Sequence, residues 1–287
     1  MVPSPGSLFS ACSISSSLDG VKKKSMKPAL FQLVIIALYV PGLCGQESTL
    51  VTDPPKGMTP EQVIQRFTAK EKDFKNARKK CSYRQTVRFQ TLQGVESTSE
   101  YRQVTDVRLD ANGNKVKSTV LSPQSSMQLS PEDEADIESR LHFTLSTDEL
   151  PEYNVTYKGQ QQEDDLHTYV FDVTPKVTQE GKRYFKGTVW VDDHDFQIVK
   201  TTGKSFPDIL PKKKKQQPNL FPQFTTWREL QYGYWFPTYS LTDDVLHFPA
   251  ADVHLVGTVK ATNLNCGSPE SAENKKVEAP ASDKSRH

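Results

Sequence analysis

Residues 59–79 carry the pattern of an amphipathic helix. The run TPEQ at 59–62 is a typical helix start, with Thr as the N-cap, Pro at the first helical position and Gln in the capping-box position. Apolar residues then recur with helical spacing at Val63, Ile64, Phe67 and Phe74. Because charged residues occupy the opposite side, we expect a helix to about Lys79 that buries one face.

From Cys81 onwards the hydrophobic period changes to two. In the run CSYRQTVRF, apolar side chains face one way while Arg84 and Arg88 face the other, which predicts a half-buried strand. A second N-cap followed by Pro, at Ser130-Pro131, predicts a short acidic helix to about Arg140. Further strands are predicted at Glu100–Leu109, Tyr153–Tyr157, Leu166–Val173, Arg183–Asp192, Phe196–Thr202, Phe224–Gln231, Tyr234–Leu246 and Val253–Leu264. About nine strands with two helices indicate an α+β fold with a mostly antiparallel sheet.

Residues 1–45 are organised as a leader. A basic segment, Val21–Lys27, precedes the apolar run Ala29–Val40, and a Pro-Gly break with small residues follows. This order is typical of a cleaved signal peptide; the alternative is an uncleaved membrane anchor, for which the run is short. Met1 and Met26 are alternative translation starts, and with the second, residues 1–25 are a mis-start extension.

The rest of the chain divides into an extended lead-in at 46–58, one domain at 59–266 and a polar, disordered tail at 267–287. Lipid anchoring at Cys44 is disfavoured, because a lipobox needs a small residue directly before the cysteine and Leu43 stands there. Loss of the leader changes the net charge from +1 to −2. Neither value suits a dedicated nucleic-acid binder, which carries a strong basic excess.

Export leaves Cys81 and Cys266 in an oxidising compartment, where two cysteines are a natural pair. They lie near the two ends of the predicted sheet, so a bridge requires its first and last strands to meet. In the chain-entropy model it would stabilise the fold by at most about 5 kcal/mol. The alternative is two buried free thiols.

No motif for catalysis, metal binding or cofactor binding occurs. The histidines lack spacings such as HExxH, and GxSxG, P-loop and GxGxxG sequences are absent. The densest cluster, 192–195 (DDHD), lacks the alternating ligands and the Gly of a calcium loop, so we expect an acidic hairpin tip. We therefore predict a non-enzymatic protein with no metal and no cofactor.

Two further features are candidates for contacts. Lys212, Lys213, Lys214 and Lys215 lie in a proline-rich loop at 205–222 and are candidates to contact anionic headgroups or a partner; a solvated loop is the alternative. Trp190 lies on the face of its strand opposite to Val189 and Val191. That face should therefore also be covered, by a helix, a loop or a ligand.

The run YFKGTVWVDDHDFQIVKTTG at 184–203 resembles the strand–acidic turn–strand hairpin of the LolA-like lipoprotein-carrier superfamily, particularly its exported outer-membrane lipoprotein-sorting proteins. In that family a G-x-W-x-P strand follows the hairpin, and GYWFP at 233–237 stands in its place. The N-terminal helix at 60–79 and the strand at 81–89 also match in order. The resemblance covers roughly residues 59–265.

The resemblance implies a half-barrel, in which a strongly curved antiparallel sheet is wrapped round the N-terminal helix and a short second helix, with a hydrophobic cavity for acyl chains. Classical carriers have an arginine in the first strands that locks the lid. Arg84 and Arg88 occupy suitable strands, but by alternation they face away from Phe89, so this role is not transferred to them. Ordinary core packing is the alternative for each of the candidate lining residues. These candidates are Tyr83, Val87, Phe89, Tyr169, Phe171, Phe185, Val189, Ile198, Leu230, Trp235 and Leu255.

Two functions follow from the resemblance. The first is a monomeric carrier or binder of lipoprotein or lipid acyl chains in the periplasm or cell envelope. The second is a sensor or protein-interaction module on the same fold that contacts envelope membrane proteins. A carrier predicts an apolar cavity without convergent polar groups, whereas a module predicts no internal void and an apolar patch outside.

Overall fold

The computed structural model describes residues 48–127, 129–140, 143–210 and 218–267. This part of the chain forms one open antiparallel sheet of ten strands with two α-helices, which confirms the predicted class. The predicted leader, the four loop lysines and nearly all of the predicted tail lie outside the described residues. The elements are α1 (Pro60–Arg78), β1 (Ser82–Gln93), β2 (Glu96–Leu109), β3 (Lys115–Ser125), α2 (Pro131–Arg140), a 3-10 turn (Leu150–Glu152), β4 (Tyr153–Glu163), β5 (Leu166–Pro175), β6 (Tyr184–Asp192), β7 (Ile198–Phe206), β8 (Phe224–Gln231), β9 (Tyr234–His247) and β10 (Asp252–Asn265).

The strand order places consecutive strands next to each other with one exception. The order is β3-β2-β1-β10-β9-β8-β7-β6-β5-β4, so β1 pairs with β10 at the far end of the chain. As a result β3 and β4, which are consecutive in sequence, form the two opposite edges. The chain between them must cross the sheet, and it crosses the face that α1 also covers.

Helix α1 begins at the predicted cap. Thr59 and Gln62 form a capping box, in which the Gln62 backbone N–H donates to the Thr59 hydroxyl and the Thr59 N–H donates to the Gln62 side chain. The ring of Phe67 lies 5.5 Å from that of Phe171 on β5. Neither α-helix of the described residues is both long and apolar enough to cross a membrane.

Two large clusters of buried apolar side chains lie on the inner face of the sheet, and a small third one joins Phe74 of α1 to Cys81 and Phe236. The α1 core contains Val63, Phe67, Leu145, Tyr153, Tyr169, Phe171, Val173, Tyr184, Phe185, Val189, Val191 and Ile198. The α2 cluster contains Val87, Phe89, Tyr101, Phe224 and Val259, with Met127, Leu129, Ile137, Leu255 and Ala261 packed against it. The crossing segment takes part in both, because Leu129 and Ile137 contact the α2 cluster while Leu145 is fully buried in the α1 core.

A buried ion pair joins α1 to the sheet. Arg228 on β8 donates to both carboxylate oxygens of Glu71, at 2.8 and 3.2 Å, and the two side chains are 2% and 0% exposed. The same guanidinium donates to the backbone carbonyl of Phe143, at 3.1 Å. Arg228 therefore holds the helix, the sheet and the crossing segment together at one point.

A disulfide joins the two ends of the sheet's central pair. The Sγ atoms of Cys81 and Cys266 are 2.06 Å apart, across 185 residues of sequence. Cys81 directly precedes β1 and Cys266 directly follows β10, so the bond closes the ladder where it begins at the Ser82–Asn265 pair. This is the arrangement in which the first strand meets the last.

Strand β3 is the element that the sequence pattern does not predict, and it raises the number of strands to ten. Residues 115–120 are all exposed, so no buried face imposes an alternation on them. Pro123 also argues against a central strand. The edge position of β3 removes this conflict, because an edge strand tolerates Pro, and exposed lysines there oppose further pairing.

The outer face around Trp190 is covered by side chains of neighbouring strands. The indole N–H of Trp190 donates to the Gln161 side-chain oxygen at 2.8 Å, and the ammonium of Lys200 lies 4.6 Å from the ring centroid. Lys200 also pairs with Glu163 at 2.9 Å. Polar side chains of β4 and β7, together with the alkyl stem of Lys200, thus provide the cover that the sequence demands.

Replacement of both cysteines by serine should lower the free energy of unfolding by about 2–5 kcal/mol, because the unfolded chain regains its freedom. Urea unfolding of the wild type and of Cys81→Ser/Cys266→Ser measures the difference. Dithiothreitol should shift the wild-type midpoint towards that of the variant and leave the variant unchanged. A wild-type midpoint that does not respond to the reductant would contradict a stabilising bridge.

Arg228→Met should destabilise the fold by about 3–5 kcal/mol, because it leaves the Glu71 carboxylate buried without a partner. Glu71→Met/Arg228→Met should recover most of this loss, since both charges are then removed. The matched control is Lys72→Met in the exposed Lys72–Asp148 pair, for which a loss below about 1 kcal/mol is expected. Urea unfolding measures the stability of each variant. Equal losses in Arg228→Met and in Glu71→Met/Arg228→Met would show that the unpaired Glu71 charge does not cause the destabilisation.

Candidate functional site

An apolar cavity of about 260 Å³ lies between α2, the segment that precedes β8 and the inner face of the sheet. It is larger than the ~150 Å³ engineered cavities that accept benzene and slightly smaller than the ~300–1,000 Å³ of pockets for drug-sized ligands. Its size therefore suits one narrow apolar group. The apolar side chains around it are Phe89, Met127, Leu129, Ile137, Leu220, Phe221, Pro222, Phe224, Leu246, Phe248, Val253 and Leu255.

The floor of this cavity follows from the register of β1 with β10. Phe89 pairs with Gly257, and Thr91 pairs with Leu255, so these residues share the inner face. A Cβ atom at Gly257 would lie 2.1 Å from Cδ1 of Phe89, which shows that the Phe89 ring lies directly over the glycine backbone. Phe224 on β8 then meets Phe89 edge-to-face, at 6.0 Å between ring centroids.

Residues 219–222, which lead into β8, form one wall of the cavity. Asn219 pairs with Ile209 through two backbone hydrogen bonds, and the backbone N–H of Phe221 donates to the Asp208 carboxylate at 3.2 Å. Asp208 is itself held by Lys204 on β7, at 3.0 Å. These contacts fix the segment, so that fully buried Phe221 faces the cavity from a defined position.

The polar groups at the cavity are engaged within the protein. At the start of α2, the backbone N–H and hydroxyl of Ser130 both donate to the Asp133 carboxylate at 2.8 Å, and Asn219 donates to the Ser130 hydroxyl at 3.0 Å. Asp136 is buried and also has an interaction partner. The walls that remain for a guest are therefore mainly hydrocarbon, and binding would depend on burial of apolar surface.

A polar groove of about 200 Å³ lies on the other side of α2. Ile137 is a wall of both spaces, so the two are adjacent. One ion pair, Lys117–Glu138, crosses the groove between β3 and the helix. The groove is lined by Gln85, Val87, Tyr101, Gln103, Thr105, Lys117, Thr119, Glu134, Ile137 and Glu138.

The structure separates the residues that the sequence offered as cavity lining. Phe89 and Leu255 line the apolar cavity, while Val87 lines the polar groove. Leu230 is 55% exposed, and Trp235 is half-buried beside it, with its backbone N–H donating to Gln197. The five members that lie in the closely packed α1 core are Tyr169, Phe171, Phe185, Val189 and Ile198.

Several lining residues were not among the sequence candidates. Leu129 and Ile137 belong to α2 and its approach, where apolar residues in an otherwise acidic run were the available signal. Phe221 and Phe248 lie outside the strands. No periodicity could assign these two to a face, because they are in loops.

Arg84 and Arg88 lie on the outer face, as their alternation predicts. Arg84 pairs with Asp106 at 2.7 Å, and Arg88 pairs with Glu100 at 2.9 Å. Among the described residues, Arg228 is instead a buried arginine on the inner face, and it contacts the crossing segment. The sequence offered no signal for this, since a single arginine in a strand is ordinarily read as solvent-exposed.

The acidic hairpin tip between β6 and β7 brings Asp192, His194 and Asp195 within 4.8 Å of one another. The Asp192 carboxylate accepts the backbone N–H groups of His194 and Asp195, at 3.2 and 2.6 Å. These bonds are those of a turn whose aspartate stabilises its own backbone.

Tyr83 is buried next to a group of cations. The ammonium of Lys115 lies 5.5 Å from the Tyr83 ring centroid. Burial raises the pKa of Tyr83 to about 12. Loss of solvation, together with the nearby charges of Arg78 and Lys117, lowers the pKa of Lys115 to about 8 although much of this residue is exposed. Tyr83 is thus a packing residue beneath Lys115 and does not line the apolar cavity.

No family model and no curated protein matches this sequence. Among solved structures, a LolA superfamily protein from Nitrosomonas europaea is 14% identical and has a TM-score of 0.33, with 71% of this chain and 96% of that chain covered. A domain assigned to outer membrane lipoprotein-sorting proteins, from Vibrio parahaemolyticus, is 14% identical at a TM-score of 0.34, with 75% and 98% covered. The Pseudomonas aeruginosa MucA/MucB complex matches at 9% identity and a TM-score of 0.22, with 68% and 95% covered. The matched structures include members of the family that the sequence resembles. Sequence identities and TM-scores this low carry no inference about what this chain binds.

Lys115→Met should remove a part of the pH dependence of stability. The pKa of Lys115 is lower in the folded state than its ordinary value of 10.5. Below about pH 8 the lysine is charged in both states, and its charge destabilises the fold fully. This destabilisation is lost as the pH rises from about 8 towards 10.5, because the folded state releases its proton first. The unfolding free energy of the wild type should therefore rise relative to that of the variant between pH 8 and 9.5, as measured in urea. Lys56→Met, on the exposed N-terminal segment, is the control, and parallel curves for wild type and Lys115→Met would contradict the assignment.

Proposed function

We propose that this chain is an exported, non-enzymatic protein that binds one apolar chain, such as an acyl chain of a lipid or lipoprotein, in the cavity beneath α2. The observation that carries the proposal is the mainly hydrocarbon lining of a cavity whose nearby polar groups are already bonded within the protein. A guest would gain about 0.8 kcal/mol for each CH₂ group that it buries. Such binding selects for chain shape and length and requires no catalytic group.

Helix α2, which covers the cavity, makes few buried contacts with the rest of the protein. In α2 the inward contacts are made by buried Asp136 and half-buried Ile137, while Glu132, Glu134 and Ala135 are exposed. The ion pair of Glu138 with Lys117 is about half exposed on both sides, so it contributes little to stability. We infer that α2 is the element that moves to admit a chain, while α1 is fixed by the Arg228–Glu71 pair.

The remaining parts of the proposal extend the resemblance found in the sequence. The open sheet would be a strongly curved half-barrel wrapped round the two helices. The protein would act as a monomer in the periplasm or cell envelope after loss of residues 1–45, without a lipid at Cys44. Lys212, Lys213, Lys214 and Lys215 would contact headgroups or an envelope partner.

A second candidate, a protein-interaction module, is favoured by one observation. Strand β3 is an edge of the sheet, and it carries Val116 and Val120, each about half exposed. A free edge with apolar side chains is a site at which an extended segment of a partner can add as a further strand. Lys115, Lys117 and Pro123 act against such pairing, and this places the module second.

Leu255→Trp tests the proposal because it fills the cavity. A fluorescent fatty-acid analogue should bind the wild type, and the variant should bind it at least tenfold more weakly. Leu230→Trp, the same substitution at an exposed position, is the matched control and should bind as the wild type does. Native mass spectrometry after gentle purification should show bound lipid on the wild type and on the control.

Equal probe binding by Leu255→Trp and the wild type would place the guest elsewhere. A wild type that carries no lipid and binds no probe would contradict the carrier function and leave the interaction module.

A further inference from the structure

The polar groove beside α2 contains hydrogen-bonding groups that the described part of the protein does not use. Gln85 is only 9% exposed. Its side-chain amide forms no hydrogen bond to another described residue, and its atoms are not among the fully buried ones without a partner, so they are open to the groove. The amide is therefore free to bond a ligand or water in the groove, as both donor and acceptor. Gln103, Thr105 and Thr119 line the same groove and add further amide and hydroxyl groups.

The groove has a net negative charge from one residue. Lys117 and Glu138 neutralise each other across it, whereas the exposed Glu134 carboxylate forms no ion pair with another described residue. The pKa of Tyr101, which lines the groove, is raised first by burial and then by Glu134, so the field of this carboxylate reaches the groove. Lys115, the neighbouring cation on β3, packs over Tyr83 and is not part of the lining.

The groove and the apolar cavity follow one another along β1. Gln85 and Val87 line the groove, and Phe89 and Thr91 line the cavity, all on the same inner face. Two residues of a strand span roughly 7 Å, so the two spaces are within the length of one small molecule. The half-buried side chain of Ile137 lies at their common wall.

We propose that the ligand is an amphiphile with an ammonium headgroup, whose chain occupies the apolar cavity and whose head occupies the polar groove. The Glu134 carboxylate is the counter-ion of the ammonium group, and the Gln85 amide oxygen accepts one of its N–H bonds. Ile137 turns aside to let the atoms between head and chain pass. This assignment rests on the proposed function, because it places the head relative to a chain bound beneath α2.

Binding of n-decylammonium and n-decanol, below their aggregation concentrations, tests the headgroup assignment by isothermal titration. The two probes share a chain and differ in the head. The wild type should bind decylammonium about tenfold more tightly than decanol. Glu134→Gln should reduce this preference to within about twofold with little change for decanol, while Gln85→Leu should weaken decylammonium about fivefold.

The matched control is Glu132→Gln, which removes the same charge from an exposed position of α2 that lines neither space. It should keep the wild-type preference, because proximity to the groove and not the total charge of α2 is the proposed cause. Loss of preference in Glu132→Gln as well would overturn the subsite in favour of a diffuse electrostatic effect.

The outcomes separate the two proposals. Equal binding of both probes by the wild type, or a preference that survives in Glu134→Gln, would overturn the headgroup subsite and leave the apolar cavity as the binding site. Failure of the wild type to bind either probe would overturn both proposals. A preference that is lost in Glu134→Gln, with decanol binding lost only in Leu255→Trp, is the result that supports both.

Discussion

The pairing of β1 with β10 is the constraint on which the other features depend. Because these strands are central neighbours, β3 and β4 are forced to the two edges, and the chain between them has to cross the sheet. The crossing segment passes over the inner face, first as α2 and then as the stretch around Leu145. The disulfide fixes the end of the β1–β10 ladder, and the hydrogen bond from Arg228 to the Phe143 carbonyl fixes the course of the crossing segment.

The inner face is therefore covered by two helices of different character. Helix α1 is long and places Val63, Phe67 and Phe74 on the sheet, and its half of the interior is filled by side chains. Helix α2 is short and acidic, and Ile137 is its apolar residue on the sheet. One such side chain cannot fill the space above β1 and the strands on either side of it. The apolar cavity remains on the side of β10 and β9, and the polar groove remains on the side of β2 and β3.

Local chemistry made much of the fold predictable. Residues close in sequence set the capping box of α1, the alternation of β1 and the acidic turn after β6. Local patterns of this kind predicted both helices and nine of the ten strands. Strand β3 was not predicted because its residues 115–120 are exposed on both faces and show no alternation of buried and exposed positions. For the site, alternation showed which side of a strand is inward but not which helix lies above it. Phe89 and Phe171 have the same pattern, yet one borders a cavity and the other is packed beneath α1.

The β1–β10 ladder also governs the order in which the protein can assemble. Its partners Ser82 and Asn265 are 183 residues apart, so the central strand made first stays unpaired on one side until nearly all of the domain has been synthesised. Contacts of such long range slow folding, since the chain entropy is lost before the contacts form. A nascent chain of this topology remains open for most of its synthesis, and it completes its sheet only after the last strand has arrived.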